Sequence, residues 1–140
     1  MCGIAAAINV EKAGMRVKTM LNLMRGRGET NDPIGAMEAN VALGTRRLKI
    51  LDGENAIQPF WSFDQRYAVV LNGEIYNFRT LRESMEGELK KRGYTFKTDS
   101  DTEVVAQGLA LFGPRFIRQF NGMFALVAYD RKKKTVHRRP

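Results

Sequence analysis

Leu71-Asn72-Gly73-Glu74-Ile75-Tyr76-Asn77 closes the apolar run of residues 67–71, and the reading of these seven residues decides the fold. An apolar run of that length bounded by Asn and Gly is predicted to be a strand. Asn-Gly after a strand is an ordinary turn signal. The same residues admit a chemical reading. Glycine lets its backbone N–H approach a ligand closely, and the Asn72 amide adds a second donor, which together would make an oxyanion hole for a tetrahedral intermediate. On this segment alone both readings stand.

Upstream, residues 41–51 also read as a strand, separated from 67–71 by a loop that holds Pro59 and the only tryptophan, Trp61. Residues 3–10 are apolar with little alternation, as expected of a short strand covered on both faces. Val17, Met20, Leu21 and Met24 recur at helical spacing, and Gly26 and Gly28 are placed to end that helix. A loop is predicted over 29–35. Downstream, Phe78, Leu81, Met85 and Leu89 line one face of a helix that stops near Gly93. Ser100-Asp101-Thr102-Glu103 fits a capping box, opening a helix with Val104, Gly108, Leu111 and Phe112 on one face. Asn121-Gly122 breaks the chain before the apolar strand 123–129, and 130–134 reads as a polar hairpin turn. Thr135 and Val136 begin a returning strand, and His137-Arg138-Arg139-Pro140 ends the chain as a frayed tail, leaving the sheet with an unpaired neighbour.

Composition narrows the function classes. A chain of 140 residues with 44% hydrophobic content is sized for one domain. Its apolar runs are too short to span a bilayer and its start lacks a secretory pattern, so a cytoplasmic protein without a membrane partner is expected. The net charge is +8, yet residues 131–140 hold six of the 23 Lys+Arg and no acid. That leaves 17 basic against 15 acidic residues, a balance of +2, over the rest. Aromatic residues do not interleave with the basic run, so it reads as a solvated end and not as a nucleic-acid contact. The only histidine, His137, reads as a surface residue, and no set of side chains suggests a metal site.

The single cysteine, Cys2, cannot form an internal disulfide. It follows Met1 and precedes Gly3, and removal of Met1 would leave a free α-amino group beside a thiol. Such an amine titrates near about 7.7–8.0, so it is partly neutral at physiological pH and able to take the thiol proton. The plainer reading is a small buried hydrophobe behind the start codon.

Cys2-Gly3-Ile4, 46–52 (Arg-Arg-Leu-Lys-Ile-Leu-Asp), 72–77, 100–104 and 121–125 occur together and in that order. As a set they resemble the class II, N-terminal-nucleophile glutamine amidotransferase domain at the front of glutamine-hydrolysing asparagine synthetases, over nearly the whole chain. The resemblance implies an α+β fold, a four-layer α/β/β/α sandwich of two packed sheets between helices, incomplete at its C-terminal end. It implies a glutamine amidohydrolase in which Cys2 forms a thioester with L-glutamine and releases ammonia to a partner synthetase domain or subunit, asparagine synthesis being the expected use. By the same resemblance Arg47 holds the substrate α-carboxylate, with Arg46 a neighbour, and a backbone carbonyl at Ile50 or Leu51 lies against the ligand. Asn72 and Gly73 form the oxyanion hole, Asp101 pairs with the α-ammonium, and Glu74 contacts the amino end. No cofactor is expected in this chain. ATP and Mg belong to a separate synthetase domain, whose Ser-Gly-Gly-x-Asp-Ser phosphate loop the chain lacks.

Two features depart from the family. Where it has Arg-Gly-Pro-Asp, this chain has Arg27-Gly28-Glu29-Thr30, so closure over the substrate is expected to differ. The family's domain also runs on past the equivalent of residue 140, so an open sheet edge that could pair with a second copy is expected. These departures leave a second reading, a catalytically inactive glutamine-binding or assembly module.

Overall fold

A computed structural model describes residues 2–28, 30–31, 34–47 and 57–139. Among the described residues, eight strands form two antiparallel sheets. In the first, β1 (Gly3–Ile8) pairs along β4 (Val41–Arg47), from Gly3 opposite Arg46 to Ile8 opposite Val41. The other edge of β4 carries β2 (Thr30–Asn31) and β3 (Gly35–Glu38) end to end. The second sheet has the order β5 (Phe60–Trp61), β6 (Tyr67–Ile75), β7 (Gly122–Asp130) and β8 (Thr135–Arg139).

Strand pleating sends alternate side chains to opposite faces, and each face found its own cover. On one face of the first sheet the small residues Ala5, Ala7 and Ala42 pack on Ala13, Val17 and Leu21 of α1 (Ala13–Leu23). A side chain at Gly44 would run into Val17 and Leu21, and one at Gly3 into Met24. The other face brings Val41 and Leu43, with Ile4, Ala6 and Ile8, against Ala68, Val70 and Tyr129 of the second sheet. The second sheet's far face presents Tyr67, Val69, Leu71 and Leu126 to α2 (Phe78–Lys91) and α3 (Asp101–Phe112). The result is the four-layer α/β/β/α sandwich, helix, sheet, sheet, helices, with β1 covered on both faces as its sequence requires.

Several local expectations are corrected. Helix α1 ends at Leu23 and tightens into a 3₁₀ turn over Arg25–Arg27, so Gly26 lies inside that turn and Gly28 is extended; neither ends the helix. Met20 lies on the outer side of α1, whose buried stripe is Ala13, Val17 and Leu21. Ser100 does cap α3, accepting from the Thr102 N–H at 3.1 Å. Glu103, however, does not reach back to the Ser100 N–H, which donates instead to Thr98 Oγ1. The Glu103 carboxylate is fully buried and accepts from the Lys97 and Thr98 N–H groups and the Tyr94 and Thr98 hydroxyls, fastening the 94–98 segment to the helix. Helix α3 is buried all round from Thr102 to Leu109, while Phe112 is exposed, because the sheet, α2 and the 3₁₀ turn Pro114–Gln119 enclose it. The returning strand β8 extends to Arg139, and His137 belongs to it, opposite Ala128, rather than to a frayed tail. The outer edge of β8 has no strand partner among the described residues, and no helix among them is long and apolar enough to cross a membrane.

One ion pair fixes the second sheet at its β7–β8 turn. Arg66 grips Asp130 with both nitrogens, Nε to Oδ1 at 3.0 Å and Nη2 to Oδ2 at 2.7 Å, and Asp130 also accepts from the Lys132 and Lys133 N–H groups. Burial alone would push this carboxyl up, but the Arg66 and Lys133 donors outweigh it and bring it down to about 2. A depressed folded-state value means the stabilisation is complete above the unfolded value of about 3.9 and fades as pH falls towards the folded one. The stability gap between the parent and Asp130→Asn, read from urea unfolding, is therefore expected to be constant above about pH 4 and to shrink towards pH 2.

Candidate active site

The alternation that builds the core also sorts the candidate residues. On β4, Val41, Leu43 and Thr45 face the second sheet while Ala42 and Gly44 face α1. Continuing the period turns Arg47 towards the second sheet and Arg46 towards the α1 side, where its Nε donates to the Gly28 carbonyl at 2.7 Å. On β1, Ile4, Ala6 and Ile8 face the second sheet, and the same period places Cys2, half-buried just before the strand, on that side. On β6, Ala68 and Val70 face the first sheet, and Asn72 and Glu74 follow them. The side chains of Cys2, Arg47, Asn72 and Glu74 thus belong to the inter-sheet side.

The predicted turn at Asn72-Gly73 is not a turn. Strand β6 runs through to Ile75, paired residue for residue with β7, Asn72 opposite Ala125 and Gly73 opposite Phe124. Gly73 instead sits inside the strand in a conformation that favours glycine. Its φ is +115°, and a Cβ there would collide with the Met123 carbonyl and stand 2.7 Å from Phe124 Cα. Glycine meets both demands, open conformational space and close backbone approach, so the sequence signal was real and its structural meaning different. The far end of the strand is clasped by Asn77, whose side chain donates to the Gln119 carbonyl and accepts from the Asn121 N–H, each at 2.9 Å. The Tyr76 N–H donates to the Asn121 carbonyl at 2.7 Å.

The β5-side edge of β6 carries backbone donors beside the candidate residues. Antiparallel pairing sends N–H groups alternately to the two neighbours. The even positions 66 and 76 bond towards β7, while Tyr67, Leu71 and Ile75 bond away from it. The Leu71 N–H meets Gln58 Oε1 at 2.8 Å and the Ile75 N–H meets Asp101 Oδ2 at 3.0 Å. The same alternation assigns the Gly73 N–H to this edge, between those two anchors.

Asp101 is brought to this edge by the start of α3. Burial pushes its carboxyl up, the N–H groups of Ile75 and Thr102 and the Thr102 hydroxyl offset that in part, and the neighbouring charge of Glu74 adds to the rise. Thr102 Oγ1 lies 3.4 Å from Asp101 Oδ1 and receives the Gln58 amide at 3.3 Å. Gln58 was not foreseen in the sequence, where it is one polar residue in a loop. Ile50 and its neighbour Leu51 lie outside the described residues, as does Glu29 of the divergent loop. Arg27 is beside the nucleophile candidate, its Nε donating to the Cys2 carbonyl at 3.3 Å.

Comparison with known proteins fits this arrangement. A family model described as a glutamine amidotransferase domain matches residues 1–139. The chain is 34% identical over 143 residues to asparagine synthetase [glutamine-hydrolyzing] 1 of Bacillus subtilis, covering 98% of this chain and 22% of that protein. It is 34% identical over 140 residues to asparagine synthetase B [glutamine-hydrolyzing] of Escherichia coli, covering 95% and 24%. The chain therefore spans under a quarter of the length of these relatives. A solved structure of glutamine phosphoribosylpyrophosphate amidotransferase from B. subtilis superposes with a TM-score of 0.73 at 20% identity, over 94% of this chain and 35% of that one, and shares its fold.

Gly73→Ala tests this close approach. Adding a methyl group at a positive φ against the β7 backbone is expected to cost about 2 kcal/mol or more in urea unfolding. A variant as stable as the parent would contradict the close approach of β7.

Proposed function

The chain belongs to the glutamine amidotransferase domain family, and from that premise we propose that it hydrolyses the side-chain amide of L-glutamine through a thioester on Cys2. Ammonia passes to a synthetase domain or subunit, for asparagine synthesis, in the cytoplasm. What supports this reading is strand alternation, which assigns Cys2, Arg47 and Asn72 to the inter-sheet side of their strands, together with the Ile75 N–H bond that brings Asp101 to the edge of β6. Four separate segments supply these groups.

Each group has a task suited to its chemistry. With Met1 removed, the α-amine of Cys2 takes the thiol proton and the sulfur attacks the substrate amide carbon. The Asn72 amide and Gly73 N–H hold the oxygen that becomes negative. Collapse of the tetrahedral intermediate expels the nitrogen, which leaves as ammonia with the proton returned by the amine. Water then cleaves the thioester to glutamate and restores the thiol. Arg47 offers a planar fork to the α-carboxylate, while Asp101 and Glu74 take the α-ammonium end. A backbone carbonyl at Ile50 completes the grip. This chemistry calls for no cofactor here, ATP and Mg being needed only where the acceptor is activated. The outer edge of β8, without a strand partner among the described residues, offers a surface for a second copy.

Turnover of glutamine to glutamate by the purified chain, abolished in Cys2→Ala, is the expected outcome, with an intact mass that lacks Met1. Glutamine binding without turnover would favour a binding module, and absence of both would remove the reading. Acidification supplies an independent check. Gripping an α-ammonium requires ionised Asp101, whose folded-state value is raised by burial. Glutamine affinity, measured by calorimetry on Cys2→Ala, is thus expected to weaken as pH falls, starting above the ordinary carboxylate range of about 3.9. Asp101→Asn is expected to bind weakly and without that acid limb.

A further inference from the structure

Gln58 lies between β4, β6 and α3, buried, and belongs to none of them. The orientation of its amide follows from chemistry. A backbone N–H can only donate, so the atom 2.8 Å from the Leu71 nitrogen is the oxygen, and the other amide atom is the donating nitrogen. The oxygen also accepts from Thr45 Oγ1 at 3.1 Å, and the nitrogen donates to Thr102 Oγ1 at 3.3 Å. Thr45 and Thr102 are themselves buried.

The three partners adjoin the proposed site. Thr45 is two residues before Arg47 on the same face of β4. Leu71 immediately precedes Asn72, and its N–H is one of the two that bracket the Gly73 N–H. Thr102 follows Asp101 and contacts its carboxylate at 3.4 Å. A continuous path, Thr45 to Gln58 to Thr102 to Asp101, thereby joins the strand that offers the guanidinium to the helix start that offers the carboxylate. Its midpoint also ties down the oxyanion strand. Strand β5 covers β6 only at Val69 and Ala68, so at Leu71 the Gln58 side chain takes the place a neighbouring strand's carbonyl would fill.

We propose that Gln58 is the positioning residue of this site, its one buried amide setting the spacing between the Arg47 and Asp101 grips and holding the Gly73 edge in register. The inference rests on the glutaminase reading for its catalytic consequence, while its hydrogen-bond consequence can be read without substrate.

Two variants separate positioning from general stability. Gln58→Glu keeps the acceptor for Leu71 and Thr45 and loses the donor to Thr102; Gln58→Met loses both. In Gln58→Glu the KM for glutamine is expected to rise about tenfold, the order of effect of one buried hydrogen bond to a charged-group relay, with a smaller change in kcat. Alkylation of Cys2 by iodoacetamide should keep its rate, because β1 is held by its own ladder to β4. Thr102→Val should give a similar rise in KM, and the double variant no more than either single one, since both cut the same path. Equal losses of kcat, alkylation rate and melting temperature would overturn the proposal, as would additive effects in the double variant. Amide exchange of the ligand-free protein completes the test. Gln58→Met should lose protection at the Leu71 N–H and also at the Ile75 N–H, which Gln58 never touches. Loss at Leu71 alone would overturn the coupling. If the parent shows no glutamine turnover, the functional reading falls, and the exchange result still decides whether Gln58 couples the strand to Asp101.

Discussion

The register of β1 on β4 constrains everything else in the molecule. Six consecutive pairings, Gly3 with Arg46 through Ile8 with Val41, determine which side chains meet α1 and which meet the second sheet. A slip of β1 by one residue would send Ala5 and Ala7 to the wrong face and put Ile4 and Ile8 where Val17 and Leu21 need room. It would also turn Cys2 away from the inter-sheet side to which alternation assigns Arg47. Fold and site are thus locked by the same ladder, because both are read from one alternation.

Size sorting between the faces reinforces that ladder. The α1 face is built from alanine and glycine, so the helix approaches closely. The inter-sheet face carries Ile4, Ile8, Val41 and Leu43 against Val70 and Tyr129, residues that fill a sheet-to-sheet gap. Several of the buried polar groups among the described residues hold segments together. Glu103 and Gln107 tie the 94–98 and 61–63 segments to α3, Asp130 binds the start of β6 to the last turn, and Gln58 spans three elements near the proposed site. A buried polar group without partners would cost stability, so such groups mark where the chain's path is prescribed.

Much of the second sheet and its helices was legible in the chain. Phe78, Leu81, Met85 and Leu89 gave α2, the uninterrupted run 123–129 gave β7, and Ser100 marked the start of α3. These are local signals, read from periodicity and a cap. The signals that misled were also local. Asn72-Gly73 has turn chemistry, yet β7 pairs along its whole length, and long-range pairing overrode the local preference. Gly26 and Gly28 have helix-stop chemistry, but the chain tightened at Met24 before reaching them. Leu111 and Phe112 continued an apolar helix face that the rest of the molecule leaves partly or largely uncovered.

For the site, the sequence by itself determined the chemical identities: a lone thiol at the second position, an Arg-Arg pair at the end of a strand, an amide beside a glycine, and an acid in the first turn of a helix. Each is a property of a residue and its neighbours along the chain. Only the tertiary structure decided that strand alternation turns Arg47 and not Arg46 towards the second sheet, that Gly73 lies inside a continuous strand, and that Gln58 joins β4 to Asp101. The Gln58 bonds alone join residues 13 and 44 apart, and spacing along a chain carries no information about such relations until two sheets have packed and their pleats have taken sides.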